Sequence, residues 1–109
     1  MADSLFFDEL ITWIEGNIAK RLLLTDVASK SGFSLWYLQR IFKNHTGMTL
    51  GLFINRSRME SARKDIISDA GTIADIAIKY GYESQQSFSR AFRRHYGIAP
   101  ATYRKNSCR

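Results

Sequence analysis

Two stretches of this 109-residue chain, 36–40 (WYLQR) and 85–90 (QQSFSR), crowd an indole, amides and guanidinium groups into a few positions. Such groups are suited to recognising planar polar edges. Arg donates twice to guanine O6 and N7, Gln pairs its amide with adenine N6 and N7, and an indole packs against a thymine methyl or a sugar. At about 100° per residue, Trp36, Gln39, Arg40 and Lys43 share one side of a helix, with Leu38, Ile41, Phe42 and His45 opposite. In the second stretch Phe88, Ala91, Phe92 and His95 cluster. Opposite them lie Gln86, Arg90 and Arg93, flanked by Arg94 and Ser87, with Gln85 in the first turn. The apolar sides read as core and the polar sides as two outward reading faces. The expected base contacts are Trp36, Gln39, Arg40, Gln85, Gln86 and Arg90. Lys43, Arg93 and Arg94, with Arg56 and Arg58 further along, suit phosphates, which position a protein without reading sequence. For the cations the plain alternative is a solvated surface.

The elements that must hold these faces follow from an internal repeat. Residues 24–53 and 73–103 match at Leu24/Ile73, Asp26/Asp75, Ala28/Ala77, Lys30/Lys79 and Gly32/Gly81. After one extra residue in the second copy they match again at Leu38/Phe88, Arg40/Arg90, Phe42/Phe92 and Gly47/Gly97. Each copy reads as helix, glycine turn, helix, the helix-turn-helix pattern. Thr25 and Thr72 are expected to cap the first helices, and Ser34 and Ser84 the second. Gly32 and Gly81 stand where a helix end needs positive φ.

The remaining segments also read as helical. Phe7, Leu10, Ile11, Ile14 and Ile18 give residues 4–20 an amphipathic period with the acids toward water. A connector starting at a Thr49 cap and ending before Gly71 predicts a rod of about 27 Å. Pro100 opens a last short helix, where its missing N–H costs little. The expected fold is all-α with about seven helices. It divides into 1–48 (N-terminal helix and first helix-turn-helix), 49–70 (connector) and 71–109 (second helix-turn-helix and C-terminal helix). If the connector holds the two reading helices about 34 Å apart, both enter successive major grooves on one DNA face. Because their letters differ, the bound site is expected to be asymmetric and to need no dimer.

Charge and composition point the same way. The net charge is +6, with only acids before residue 20 (Asp3, Asp8, Glu9, Glu15) and only bases after Glu83. A basic half fits an anionic partner such as nucleic acid or an acidic membrane. There is no membrane-length apolar run and no signal peptide, so a cytoplasmic protein is expected. One cysteine, Cys108, offers neither an internal disulfide nor a metal set. The two histidines, His45 and His95, fall on core-facing positions, and no paired carboxylates or phosphate loop appear. An enzyme is not expected, nor is a cofactor. A non-specific nucleic-acid-binding or protein-interaction module remains the alternative, using the same basic face without discrimination.

The stretches DVASKSGFSLWYLQRIFKNHTGMTLGLFI and IADIAIKYGYESQQSFSRAFRRHYGIAPATYR resemble the two halves of the AraC/XylS DNA-binding domain, over roughly residues 5–105. SLWYLQR, ESQQSFSR and the short chain are most similar to its small stand-alone activators, the MarA, SoxS and Rob group. The resemblance implies a monomeric bacterial activator that binds promoters of stress and drug-resistance genes and recruits RNA polymerase. It places base contacts on Trp36, Gln39 and Arg40, and on Gln85, Gln86, Ser87 and Arg90. Where relatives carry a basic residue before the Trp, this chain has Leu35, so one contact departs from the pattern. The ligand-sensing domain of larger relatives has no counterpart within these residues, which implies control by protein amount.

Overall fold

A computed structural model describes residues 4–19 and 22–107. Cys108, and with it the reading of the tail cysteine, lies outside them. The described residues form seven helices and no strand: α1 (Ser4–Gly16), α2 (Leu24–Ser31), α3 (Leu35–Thr46), α4 (Leu50–Ile67), α5 (Ile73–Lys79), α6 (Gln85–Tyr96) and α7 (Pro100–Ser107). Close contacts divide the chain into two compact units, residues 1–57 and 58–109, with the division inside α4.

Local chemistry explains most boundaries. Ser34 Oγ accepts the Tyr37 N–H at 3.2 Å and Ser84 Oγ accepts the Ser87 N–H at 3.1 Å, so α3 and α6 both start on a serine cap. Thr49 Oγ1 accepts the Leu52 N–H at 3.2 Å and starts α4. Thr72 and Asp75 form a reciprocal capping box on α5, at 3.0 and 3.2 Å. The first copy differs from expectation. Its cap position is Leu23, not Thr25, and only half a box survives: Asp26 Oδ2 accepts the Leu23 N–H at 2.9 Å. The repeat register pairs Leu23 with Thr72, so Thr25 already sits inside the helix. Helix α1 also stops earlier than its apolar period, at Gly16, although Ile18 stays buried in the turn that follows.

Gly32 ends α2 with φ 82° and donates its N–H to the Ala28 carbonyl at 3.1 Å; Gly81 takes φ 85° after α5. A side chain placed on Gly32 would meet open space, so only the backbone conformation resists it. Left-handed geometry costs an L-residue about 1–2 kcal/mol, and β-branching adds to that. Gly32→Val is therefore expected to lower the melting temperature by roughly 5–15 °C. An unchanged melting temperature would show that the turn can form without that geometry.

In the first unit Phe7, Leu10 and Ile14 of α1, Val27 and Ala28 of α2, Leu38 and Phe42 of α3, and Leu50 and Ile54 of α4 are buried. In the second, Met59, Ala62 and Ile66 of α4, Ile76 and Ala77 of α5, and Phe88 and Phe92 of α6 are buried. The buried spacing of Phe7, Leu10 and Ile14 is repeated by Met59, Ala62 and Ile66. The repeat thus extends one helix further back than its shared letters: α4 does for the second unit what α1 does for the first. Helix α4 serves both, first through Leu50 and Ile54 and then through Met59, Ala62 and Ile66. Its apolar positions therefore form two stripes rather than one.

The second unit is further tied by polar contacts. Asp65 accepts from Lys79 Nζ and from the Tyr80 hydroxyl, both at 2.8 Å. Arg104 Nε donates to the Ile66 carbonyl at 3.0 Å, and its Nη1 pairs with Asp69 at 3.3 Å. The same Ile66 carbonyl, at the end of α4, also accepts the Asp69 N–H at 3.3 Å, so Arg104 is its second donor.

Candidate nucleic-acid interface

Helix α3 is anchored by Leu38 and Phe42, both fully buried, with the Phe42 ring meeting Phe53 at 5.3 Å and Phe7 at 6.4 Å. That anchoring turns Trp36, Gln39, Arg40 and Lys43 to solvent. Trp36 is 68% exposed, far more than an indole recruited for packing. These four residues line one open groove together with Asn44, Thr49 and Leu50. The Arg40 guanidinium carbon lies 5.6 Å from the centre of the Trp36 ring. Leu35 is half-buried at the start of the helix.

Helix α6 is held the same way by Phe88 and Phe92. Phe88 meets Tyr82 at 5.4 Å, and Phe92 meets Tyr103 at 5.5 Å. Gln85, Gln86 and Arg90 are exposed and share a groove with Ser89. Ser87 is half-buried, and its hydroxyl accepts from Ser84 Oγ at 3.2 Å, so it is engaged with the cap. Arg93 and Arg94 are exposed in the last turn, where the helix dipole favours positive charge with or without DNA.

Of the cations on α4, Arg56 and Arg58 part company. Arg56 is exposed, whereas Arg58 is half-buried beside Tyr82. Burial pushes the Tyr82 phenol up, and the neighbouring Arg58 charge pulls it down. Elsewhere in the second unit, Arg63, Lys79 and Arg104 are each paired with a carboxylate. Among the described residues, Arg40, Lys43, Arg56, Arg90, Arg93 and Arg94 make no ion pair. In each unit, unpaired cations on well-anchored helices keep their charge available to an anionic partner.

Both histidines are exposed, which corrects the core-facing expectation. The His45 ring stacks on Phe7 at 4.0 Å and 6°, and His95 meets Tyr96 edge-on at 4.5 Å. Each covers the rim of its core rather than filling it. Among the described residues no cluster of three or more His, Cys, Asp or Glu is placed to hold a metal. No described helix is long and apolar enough to cross a membrane.

Asn44 and Ser89 join the grooves without having been singled out from the sequence, and Thr49 was read there only as a cap. For Ser89 a signal existed, since the repeat register equates it with Gln39. For Asn44 the same register gives Arg94.

A family model described as a helix-turn-helix domain matches residues 27–106. The regulatory protein SoxS of Escherichia coli (strain K12) is 42% identical over 104 residues, which are 95% of this chain and 97% of that protein. The chain belongs to the AraC/XylS family, in its MarA, SoxS and Rob group. The HTH-type transcriptional activator AarP of Providencia stuartii is another relative, 44% identical over 101 residues, covering 93% of this chain and 75% of AarP. Among solved structures, the C-terminal domain of AraT, a response regulator from Geobacillus stearothermophilus, superposes with a TM-score of 0.86 at 30% identity. That match covers 94% of this chain and 86% of the other. As an AraC/XylS protein the chain is a DNA-binding transcription regulator and not an enzyme, and its partner is promoter DNA. The two helix-turn-helix frames of the family are α2–α3 and α5–α6.

Proposed function

We propose that the chain acts in the bacterial cytoplasm as a monomeric transcription activator on an asymmetric double-stranded promoter site. In this reading Trp36, Gln39 and Arg40 of α3 and Gln85, Gln86, Ser87 and Arg90 of α6 address bases. Lys43, Arg56, Arg58, Arg93 and Arg94 serve the phosphate backbone; Arg58 and Ser87 bring the least free surface to these roles. The observation that carries it is the pair of faces at one register: Trp36, Gln39 and Arg40 in one copy stand where Gln86, Ser89 and Arg90 stand in the other. Two reading helices with the same frame and different letters fit two unlike half-sites on one chain, whereas a symmetric dimer would require a palindrome. Kinship with SoxS and AarP supports genes of stress response and drug resistance as targets, and recruitment of RNA polymerase as the output.

Selection of bound duplexes from random-sequence DNA, followed by footprinting, tests the proposal. One chain per duplex and a non-palindromic consensus are expected; a perfect palindrome occupied by two chains would overturn it. Competition by excess random DNA as effective as that by the selected duplex would favour the non-specific alternative. On the selected duplex, Arg90→Ala is expected to cost about 1–3 kcal/mol and to relax preference at one base pair. Equal weakening on every sequence would assign Arg90 to phosphate instead.

A further inference from the structure

We infer that Trp36 is a positioning residue for Arg40: its indole holds the guanidinium on the exposed face of α3 and sets the direction from which Arg40 approaches a base pair. The inference rests on the reading of α3 as a DNA-reading helix, and it goes beyond that reading, in which Trp36 is itself a contact.

Trp36 is 68% exposed and, among the described residues, meets no other aromatic ring, so packing does not account for it. Leaving an indole in water is unfavourable, because this side chain has a large apolar surface to bury. What it does meet is Arg40, one helical turn on, with the guanidinium carbon 5.6 Å from its ring centre. That spacing suits an α-helix, where residues i and i+4 lie on one face and the later side chain leans back over the earlier one. The distance is within the range at which a cation is attracted to an aromatic face.

A guanidinium held over the indole is restricted while its recognition chemistry stays free. It carries five N–H donors and the ring accepts no strong hydrogen bond from them, so the fork stays available for two parallel bonds to guanine. A long side chain already held in one place loses less freedom on binding DNA than one that must be ordered there. No carboxylate competes for Arg40 among the described residues. The second copy offers an internal contrast. Arg90 stands at the register of Arg40, but the residue one turn before it is Gln86, which has no ring to stack on. By this inference Arg40 is held before DNA arrives and Arg90 is not.

The test is a double-mutant cycle on the full chain, with a duplex selected from random-sequence DNA by the wild-type protein. Trp36→Leu is expected to weaken binding about 3- to 10-fold and to relax preference at the base pair that Arg40→Ala also relaxes. In the Arg40→Ala background the same substitution is expected to cost at least about twofold less than it does in the wild type, the remainder of the loss being the contact Trp36 makes itself. Losses that simply multiply, or relaxed preference only at a different base pair, would overturn the inference and leave Trp36 nothing but its own contact. Wild-type binding by a folded Arg40→Ala chain would instead overturn the underlying reading of α3, and the inference with it. In the free protein, the Arg40 Nε–H proton resonance is expected to carry a ring-current shift that Trp36→Leu abolishes. An unmoved resonance would show that no such stack exists in solution.

Discussion

Raising monovalent salt from about 50 to 200 mM is expected to weaken promoter binding by about 10²- to 10³-fold. The range follows from charge placement. Lys43, Arg56, Arg93 and Arg94 are exposed, lack an ion pair among the described residues and suit phosphates; Arg40 and Arg90 add positive charge on the faces proposed to address bases. A cation that neutralises a phosphate releases condensed counterions, so the logarithm of affinity falls with the logarithm of salt at a slope of about −0.9 per contact. Four to six contacts give a slope of about −4 to −5, and a fourfold rise in salt then produces the stated loss. Arg63, Lys79 and Arg104 are left out of the sum because each is paired with a carboxylate. Binding titrations at a series of salt concentrations give the slope directly. Arg93→Ala is expected to make it shallower by about one, with little change in site preference. A flat response would remove the phosphate contacts from the proposed interface.

Phe92→Ala is expected to destabilise the fold by about 3–5 kcal/mol. Phe92 is fully buried, with ring contacts to Phe88 at 5.7 Å, Tyr96 at 4.7 Å and Tyr103 at 5.5 Å. Truncation removes its own burial and leaves a hole among three rings, which can collapse only by moving α6 or α7. Since a domain is stable by only about 5–15 kcal/mol in all, the loss is a large share. The urea midpoint is expected to fall sharply, and DNA affinity with it, because α6 loses the anchor that turns Gln85, Gln86 and Arg90 outward. Gln86→Ala supplies the contrast: the residue is exposed, so binding is expected to change while the midpoint stays in place. A Phe92→Ala chain with an unchanged midpoint would mean that α6 is not held by this cluster.

The frame that holds both faces was legible in the sequence because its signals are local. Ser34, Ser84, Thr49 and Thr72 cap the helices they precede, Gly32 and Gly81 take positive φ, and Pro100 opens α7. Each depends on a few adjacent residues. Where the reading failed, the deciding partner was elsewhere. The apolar period of Ile18 records burial, which a turn can supply as well as a helix. His45 is on its helix's apolar side but in the last turn of α3, where it stacks on Phe7 and stays exposed. Arg58 looks like Arg56 in the sequence, but it lies beside Tyr82, twenty-four residues away. The kinship of α1 and α4 shares a spacing but few letters, as Met59 and Ala62 take the places of Phe7 and Leu10. Leu23 was legible in principle, since the matched letters on either side already fix it opposite Thr72.

Within each second helix, the residues that fold and the residues on the reading face are separate sets. Leu38, Phe42, Phe88 and Phe92 have no exposed surface, while Trp36, Gln39, Arg40, Gln85, Gln86 and Arg90 have abundant surface. Substitutions on such surfaces usually change stability by less than about 0.5 kcal/mol. If both faces read bases as proposed, a lineage can rewrite either half of its preferred operator one letter at a time while the scaffold stays intact, and can do so independently in the two copies. On the same proposal, duplicating this unit would double the length of sequence that can be addressed and give each half its own freedom to drift.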